Sequence, residues 1–316
     1  MKLVINIPCF NEEKTLPLVL KELPKKIEGI DEIEVQIVDD GSKDKTIEVA
    51  KKFGCKVIKH RYNKGVGEAF KTGVDEFLKS KGDIFVNIDA DNQFNPKDIP
   101  RLIKPILENK ADVVSASRFS GIKPVNMPFH KQILNKMIAS FVGYFLKYKI
   151  KDLTCGYRAY GKESLFKIHS LDKFTYTQES LISAINHQLK VVFVPVKVKY
   201  FKERKSRVVN SVFSYINKSA LIILRTVRDT VPLKFFGIPS LVVGGVGILC
   251  GVIFTTLYLL TQRTTQYRTW FFLCIFLTIV GLLMFIFALM SDQMKNTRKM
   301  VELQIEMMKK ERYDKK

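Results

Sequence analysis

Apolar and polar positions alternate in a regular way through the first two hundred residues. Short, nearly continuous apolar runs predict buried strands over residues 3–8, 34–40, 55–60, 83–89, 111–117 and 191–200. Amphipathic stretches between them predict helices over 12–27, 43–53, 66–78, 97–108 and 130–148. Strands that alternate with helices are typical of an α/β domain whose mostly parallel, Rossmann-like sheet is covered on both faces.

The last third of the chain has a different pattern. No charged residue occurs in 237–260 or in 269–291, and each run is long enough for a helix to cross the hydrocarbon core of a bilayer. The residues between the runs suffice only for a tight connection, so a transmembrane hairpin is predicted. Two helices buried in a large soluble core are the alternative, which the length of both uncharged runs disfavours.

These patterns divide the chain into four predicted parts. They are the α/β domain (1–200), a basic loop with interfacial helices broken at Pro232 (201–235), the hairpin (236–291) and a basic helical tail (292–316). Lys and Arg flank the hairpin on both sides, whereas the connection between the spans carries only Arg263 and Arg268. We therefore expect a two-span protein of the cell membrane with both termini in the cytoplasm. No signal peptide is expected, because Met1 leads directly into an apolar strand.

The chain is strongly basic, with 52 Lys and Arg against 31 Asp and Glu and a formal net charge of +21. Such a charge suits nucleic acid, anionic lipid or anionic substrates. With a hairpin present, a membrane surface and phosphate-bearing substrates are favoured, and no nucleic-acid partner is expected. The five cysteines show no metal-type spacing. The four histidines are interpreted as ordinary surface or packing residues: His60, His130, His169 and His187.

Polar clusters follow four of the predicted strands at their carboxyl ends, where open α/β sheets bind ligands. They are Asn11-Glu12, Asp39-Asp40-Gly41-Ser42, Asp89 to Gln93 and Ser117-Arg118. Asp89 and Asp91 offer hard oxygen ligands that suit Mg²⁺ or Mn²⁺ together with substrate phosphates. Asp39 and Asp40 suit hydrogen bonds to a nucleobase or ribose, and helix capping by Ser42 or Asp44 is the alternative.

These clusters together resemble the motif set of the inverting GT-A glycosyltransferases of family 2. The motifs are Pro8-x-x-Asn11-Glu12, Val38-Asp-Asp-Gly-Ser42, Asn63-Lys64-Gly65-x-Gly67 and Asp89-Ala-Asp91-x-Gln93. Three further motifs resemble those of one branch of the family, which contains the dolichyl-phosphate mannose synthases and the polyprenyl-phosphate glucosyltransferases. These motifs are Ser117-Arg118, Asp152-Leu-Thr-Cys-Gly156-Tyr-Arg158 and the basic stretch 201–207. The resemblance covers residues 1–236. The two-span hairpin is similar to the architecture of the polyprenyl-phosphate glucosyltransferases.

The resemblance implies a role for each matching residue. Nucleotide binding is implied for Pro8, Asn11, Glu12, Asp39, Asp40 and Lys64. Metal binding is implied for Asp89, Asp91 and Gln93, with Asp89, Asp91 and Arg204 as catalytic residues. The acceptor phosphate would contact Arg118, Lys131 and Ser206, and the loop with Arg204 and Ser206 would close over the donor diphosphate.

The expected reaction is inverting transfer of a hexose or hexosamine from a nucleotide sugar to a polyprenyl or dolichyl phosphate. A phosphate monoester is mostly dianionic at neutral pH, so it needs cations to position it and no general base. Glu179 is therefore expected to be mainly positional. A uridine diphosphate sugar is the preferred donor, and this preference rests only on the two-span architecture. GDP-mannose stays open as the other donor.

Further alternatives stay open at this point. A sugar hydroxyl could be the acceptor, or the fold could serve a non-catalytic nucleotide-binding adaptor in the membrane. The stripe of Ile133, Met137, Phe141 and Phe145 on the helix predicted at 130–148 favours core packing, with contact to a lipid tail as the alternative. The heptad-like spacing in the tail suits either a homo-oligomer or a membrane-surface helix.

Overall fold

The computed structural model describes residues 1–121, 124, 127, 129–168, 176–200, 220–221, 224–225, 227–262 and 268–314, without the side chains of 130 and 131. The chain divides into two compact units. One comprises Met1–Asn210 together with Glu302–Lys316, and the other comprises Ser211–Val301.

The first unit is built on a seven-stranded sheet in the order β3-β2-β1-β4-β6-β5-β7. The strands are β1 (Lys2–Cys9), β2 (Glu32–Asp39), β3 (Lys56–Lys59), β4 (Ile84–Asn87), β5 (Val113–Ser117), β6 (Arg158–Gly161) and β7 (Val191–Pro195). Only β6 is antiparallel to its neighbours, β4 and β5. The predicted mostly parallel sheet is therefore confirmed, while β6 was not predicted because four residues beginning with Arg158 give no apolar run.

Helices cover the sheet. They are α1 (Leu16–Glu22), α2 (Thr46–Lys52), α3 (Val66–Lys79), α4 (Ile99–Leu107), α5 (Phe129–Leu146), α6 (Lys162–Lys167) and α7 (Tyr176–Asn186). A 3₁₀ turn, Pro96–Asp98, precedes α4. Helix α1 is much shorter than the predicted 12–27, because Leu23 is extended before Pro24 and a residue that precedes proline avoids the helical region.

The central strands are buried on both faces. Leu3, Val4, Ile5 and Ile7 of β1 have no exposed surface. Strands covered on both sides need apolar residues at consecutive positions rather than at alternate ones. This burial explains why the first apolar run is continuous, and it leaves polar side chains to gather where the strands end.

Helix α5 contradicts the expectation that its apolar stripe packs in the core. Met137 is 63% exposed and Phe141 is 51% exposed. The buried face of α5 is instead formed by Asn135, Ile138 and Val142. These positions lie about half a turn away from the stripe, so one face of the helix is buried and the face with the larger side chains remains outside.

Two long helices lie in the described part of the second unit, α8 (Pro232–Thr261) and the first part of α9 (Arg268–Asp314). Both are long and apolar enough to cross a membrane, with mean hydropathy of 2.2 and 2.9 in their most apolar windows. Small residues bring them together, since a Cβ atom added to Gly281 would lie 2.4 Å from the Cα atom of Gly244. Close contact through small residues is typical of helix pairs in membranes.

Replacing Gly281 with Ala is expected to destabilise this helix pair by about 1–3 kcal/mol, because only backbone atoms surround the new methyl group. Gly245→Ala is the matched control, since no atom lies within 4 Å of its added Cβ. Thermal unfolding in detergent can be followed by the fluorescence of Trp270, which stacks on Phe254 of α8. Equal midpoints for the two variants would contradict the close packing.

The end of α9 belongs to the first unit. Lys310 pairs with Glu163 of α6 at 3.3 Å, and Glu302 lies 3.6 Å from the imidazole of His187, just after α7. The sequence suggested that the tail is either a homo-oligomer contact or a membrane-surface helix. Contacts of the tail with α6 and with His187 of the same chain belong to neither interpretation.

Candidate active site

The loops that follow β1 and β2 are joined to each other. The backbone N–H of Asn11 donates to the hydroxyl of Ser42 at 2.8 Å, and the side-chain oxygen of Asn11 accepts from the N–H of Lys43 at 2.8 Å. Asn11 has a positive φ of 55°, a conformation that asparagine tolerates better than most residues. Half-buried Pro8 and buried Glu12 flank this junction, so the two predicted nucleotide-binding motifs form one surface.

Asp40 fixes a third loop to the first two. Its carboxylate accepts the backbone N–H groups of Lys64 and Gly65, each at 2.8 Å. It also bonds to Nδ1 of His60 at 2.7 Å, and Nε2 of the same ring bonds to the Thr72 hydroxyl at 2.9 Å. Of the two interpretations of His60, as a surface or as a packing residue, the structure agrees with the second, because this buried ring helps to hold the loop that carries Lys64.

Gly41 permits this close arrangement. It has a φ of 81°, which disfavours any residue with a Cβ atom. An added Cβ would also lie 2.8 Å from the carbonyl carbon of Tyr62 and 2.9 Å from the nitrogen of Asn63. Glycine at this position thus allows the loop 62–65 to pack on the end of β2.

Asp39 has a carboxylate oxygen available for a ligand. Oδ2 accepts the N–H of Ser42 at 3.1 Å, whereas Oδ1 is buried with no hydrogen-bond partner in the described part of the chain. A buried acceptor without a donor is costly, so such an atom suits an N–H or O–H group of a bound molecule. The resemblance implies nucleotide binding for both Asp39 and Asp40, but the Asp40 oxygens already bond to His60, Lys64 and Gly65, whereas Oδ1 of Asp39 is the one left for a ligand.

The loop after β4 carries the Asp89 and Asp91 carboxylates. Asn92 adopts a positive φ of 58°, and the N–H of Gln93 donates to Oδ1 of Asp91 at 3.1 Å. The carbonyl of Gln93 accepts the N–H of Lys199 at 3.0 Å. The loop is therefore held by a bond within itself and by a bond from Lys199, which lies just before the basic stretch 201–207 in the sequence.

The donor set of this loop fits a hard divalent cation. Two carboxylates and one amide supply oxygen ligands, the number that Mg²⁺ or Mn²⁺ uses when substrate phosphates and water complete its shell. No cluster of three or more His, Cys, Asp or Glu side chains that suits a metal occurs among the described residues. Two carboxylates leave positions in the shell of such an ion that substrate phosphates can fill.

A row of buried amides lies beneath the site, across three neighbouring strands. Asn6 donates to Asn87 at 2.7 Å and accepts from Gln36 at 2.9 Å. Asn87 in turn donates to the phenol oxygen of Tyr176 at 2.9 Å. Sequence reasoning missed this network, although a lone amide within each of three apolar strands is a signal that could have revealed it.

Arg158 connects the sheet with the start of α7. It has no exposed surface, and its guanidinium donates to the hydroxyls of Ser115 at 3.1 Å and Ser180 at 3.0 Å and to the carbonyl of Thr177. These bonds position the first turn of α7, which carries half-buried Glu179. Arg158 was noted only as the end of a motif, and its positioning role was not predicted.

Gly156 keeps space for the Asp89 carboxylate. A Cβ atom added there would lie 2.8 Å from the phenol oxygen of Tyr176 and 3.3 Å from Oδ2 of Asp89. Tyr176 cannot move easily because its ring is buried and stacks on Phe70 at 4.5 Å. Burial and the neighbouring Asp89 carboxylate raise the pKa of Tyr176, so it stays a neutral phenol.

Gly156→Ala is therefore expected to lower both Mn²⁺ affinity and the rate of the chemical step by about 10–100-fold, as is usual when a group that orients a metal ligand is displaced. Isothermal titration with Mn²⁺ and the nucleotide diphosphate measures the first effect. Gly161→Ala in β6 is the control, because its added Cβ meets only ordinary contacts of 3.6 Å or more. Equal behaviour of the two variants would argue against this role for Gly156.

Arg118, at the end of β5, lies in a buried polar cluster. Its guanidinium makes a bidentate pair with Asp152 at 2.8 and 2.7 Å and also donates to the hydroxyls of Thr154 and Tyr200. Burial opposes its charge, but the Asp152 carboxylate outweighs burial and holds the Arg118 pKa above its ordinary value. Four of its five N–H groups have acceptors among the described residues.

The Arg118 cluster and the Asp89–Asp91 loop are neighbours. Lys199 bonds to the carbonyl of Gln93 at 3.0 Å, and Tyr200 accepts from Arg118 at 2.9 Å. Two consecutive residues therefore connect the clusters, one through its backbone N–H and the other through its phenol oxygen. Arg204 and Ser206 lie outside the described residues, as does the side chain of Lys131.

Comparison with known proteins decides the family. The model of glycosyl transferase family 2 matches residues 4–168, more than half of the chain. The chain belongs to glycosyl transferase family 2. Among curated relatives, a UDP-N-acetylglucosamine–dolichyl-phosphate N-acetylglucosaminyltransferase of Methanococcus voltae is 32% identical over 66% of this chain and 90% of its own. A polyprenol monophosphomannose synthase of Mycolicibacterium smegmatis is 30% identical over 64% of this chain and 78% of its own.

The fold agrees with this family membership. The crystal structure of glucosyl-3-phosphoglycerate synthase from Mycobacterium tuberculosis, with Mn²⁺, uridine diphosphate and glucosyl-3-phosphoglycerate, matches with a TM-score of 0.56 at 19% identity. The match covers 72% of this glycosyltransferase and 79% of that chain. The expected GT-A fold is thereby confirmed, and that synthase has been crystallised both with Mn²⁺ and with Mg²⁺.

Proposed function

We propose that this glycosyltransferase transfers a hexose or hexosamine from a nucleotide sugar to a polyprenyl or dolichyl phosphate, with inversion at the anomeric carbon. The observation that carries the proposal is the adjacency of the Asp89–Asp91 loop and the Arg118 cluster, which residues 199–200 join. A donor diphosphate and an acceptor phosphate could then be held side by side. The names of the two curated relatives support a lipid-phosphate acceptor.

The donor nucleoside would lie on the joined loops after β1, β2 and β3. The free Oδ1 atom of Asp39 would accept a hydrogen bond from the nucleobase. Asp40 would act indirectly, by positioning the loop that carries Lys64 and Gly65, because its oxygens already accept the N–H groups of these two residues. Carboxylate pairing with a base N–H does not by itself distinguish uracil from guanine. A uridine diphosphate sugar is the donor we prefer, since the two-span architecture supports it.

Asp89 and Asp91, with the amide of Gln93, would hold a Mg²⁺ or Mn²⁺ ion. When bound, that ion offsets negative charge on the leaving diphosphate. Arg204, on the basic stretch, would add a cation on the same diphosphate, and Ser206 would lie beside it. These residues lower the barrier by stabilising the departing nucleotide, which is where charge develops in a single displacement.

The acceptor phosphate would bind beside Arg118. Because Asp152 balances the Arg118 charge, the guanidinium would serve mainly as an oriented hydrogen-bond donor, through its remaining N–H on Nη1. The positive charge that a dianion needs would come from Lys131 and from the basic stretch 201–207. The phosphate oxygen attacks without losing a proton, so Glu179 would position the sugar rather than act as a base.

The hairpin of α8 and α9 would anchor the enzyme in the cell membrane with both termini in the cytoplasm. Four parts follow from this proposal: the catalytic domain (1–200), the basic loop and interfacial helices (201–235), the hairpin (236–291) and the tail (292–316). A lipid acceptor requires the active site to be near a bilayer, and an anchored enzyme meets its acceptor within the membrane plane.

A panel of radiolabelled UDP- and GDP-sugars tests the proposal. Detergent-solubilised protein is incubated with Mn²⁺, a short polyprenyl phosphate and one donor at a time, and label is then extracted into organic solvent. We expect label in the organic phase with one donor, which also identifies the sugar. Nucleotide binding without lipid label from any donor would shift the assignment to a hydroxyl acceptor or to a non-catalytic adaptor.

A further inference from the structure

The outer face of α5 carries a row of large apolar side chains in contact with solvent. We call Phe129, Ile133, Met137, Phe141 and Tyr144 the outer stripe of α5. Phe129 is 75% exposed and Tyr144 is 80% exposed. The five positions recur at intervals of three or four residues, so they form one continuous strip along the helix. Contiguous exposed apolar surface of this kind marks an interaction site.

The charge around the stripe indicates what covers it. Residues 119–151 contain six lysines and neither aspartate nor glutamate. Lys136, Lys147, Lys149 and Lys151 are exposed. An apolar helix face with lysines beside it and no acidic residue is complementary to a bilayer surface that contains anionic lipids. A protein partner would more commonly present charges of both signs.

The buried face of the same helix contacts the Arg118 cluster. The hydroxyl of Thr154 donates to the side-chain oxygen of Asn135 at 3.3 Å and accepts from the Arg118 guanidinium. The outer stripe and this cluster are thus on opposite sides of one helix, a separation of about 10–12 Å. An interfacial helix inserts its apolar face about 5–10 Å into the boundary between headgroups and acyl chains. With the outer stripe inserted to that depth, the opposite side of α5 would lie near the level of the lipid phosphates.

We propose that the outer stripe of α5 is a membrane-binding surface, with its apolar side chains at the boundary between headgroups and acyl chains and the flanking lysines among anionic headgroups. Its purpose rests on the proposed function: the surface would bring the Arg118 cluster to the level at which a polyprenyl phosphate is presented. The contact itself does not depend on which acceptor the enzyme uses.

Brominated lipids test this contact directly. Trp270 is the only tryptophan, so Trp270→Phe gives a background in which Phe141→Trp is the single reporter. The full chain is reconstituted in phosphatidylcholine vesicles with phosphatidylglycerol, with and without bromine atoms high on the acyl chains. We expect bromine to remove more than about half of the emission of the introduced tryptophan, since an interfacial side chain reaches that depth.

Phe53→Trp in the same background is the matched control. Phe53 is also exposed, but it follows α2 and lies beside β3, at one edge of the sheet. The opposite edge is β7, where the Val191 carbonyl accepts a hydrogen bond from the hydroxyl of Tyr148, two residues after the end of α5. The emission of the Phe53→Trp protein should be unchanged by bromine. Unquenched emission from the Phe141→Trp protein would overturn the proposal, whether the reporter proves to be solvated or covered by protein. Equal quenching without phosphatidylglycerol would overturn its electrostatic part.

A second measurement separates this inference from the proposed function. In the Met137→Ser/Phe141→Ser variant, the apparent KM for a long-chain acceptor in vesicles should rise about 10-fold, because one or more kcal/mol of apolar contact is lost. The rate with a short, water-soluble polyprenyl phosphate should be unchanged. Equal KM values in vesicles would contradict the membrane contact, whereas absence of any transfer by the unaltered enzyme would contradict only the proposed function.

Discussion

Asp91→Ala is expected to lower the rate of sugar transfer by about 10³-fold, the largest effect on activity that we predict. The variant removes one of two carboxylates from the loop after β4, and a metal that neutralises a leaving diphosphate lowers the barrier by several kcal/mol. Folding should be little affected, because Asp91 is a half-buried loop residue whose carboxylate accepts the N–H of Gln93 within the same loop.

One measurement and one control variant distinguish loss of the metal from general damage. Electron paramagnetic resonance should show weaker Mn²⁺ binding by the variant in the presence of the nucleotide diphosphate. Glu108→Ala is the control, since this carboxylate only pairs with lysines at the surface, Lys110 among them. Unchanged Mn²⁺ binding with unchanged transfer would exclude Asp91 from the metal site.

Asp152→Ala should destabilise the first unit by about 3–5 kcal/mol, because it leaves the Arg118 guanidinium buried without its carboxylate partner. Chemical denaturation followed by circular dichroism measures the change. Lys97→Ala provides the contrast: it breaks an exposed pair with Glu22, and such surface pairs contribute about 0–1 kcal/mol.

The double variant Arg118→Leu/Asp152→Leu separates stability from function. Removing both charges should recover much of the stability lost in Asp152→Ala, since a buried pair replaced by apolar residues is often close to neutral. Transfer to the lipid phosphate should remain low, because the oriented donor is absent. Recovery of both properties together would show that Arg118 has a structural role only.

Much of the fold follows from local pattern. The continuous apolar runs of β1 and β4 reflect burial on both faces, and that burial is visible in sequence as well as in the structure. The polar motifs at the strand ends were expected to lie together because parallel strands share an edge, and the bonds between Asn11, Ser42 and Lys43 show this for the first two loops.

The missed features depend on contacts between distant segments. The bond between Asn6 and Asn87 joins residues 81 positions apart, and no local period predicts it. Strand β6 is four residues long and begins with Arg158, whose charge is tolerated only because several hydroxyl and carbonyl groups surround it. The stripe on α5 was assigned to the core because helical periodicity identifies an apolar face but not what that face contacts.

The acceptor is the central claim, and a matched pair of acceptors tests it most directly. The enzyme is given one active donor, Mn²⁺ and either a short polyprenyl phosphate or the free alcohol of the same chain, and the products are identified by mass spectrometry. We expect a glycosylated lipid phosphate from the first acceptor and no product from the second. Transfer to the alcohol, or to an added sugar hydroxyl in place of the phosphate, would contradict the account.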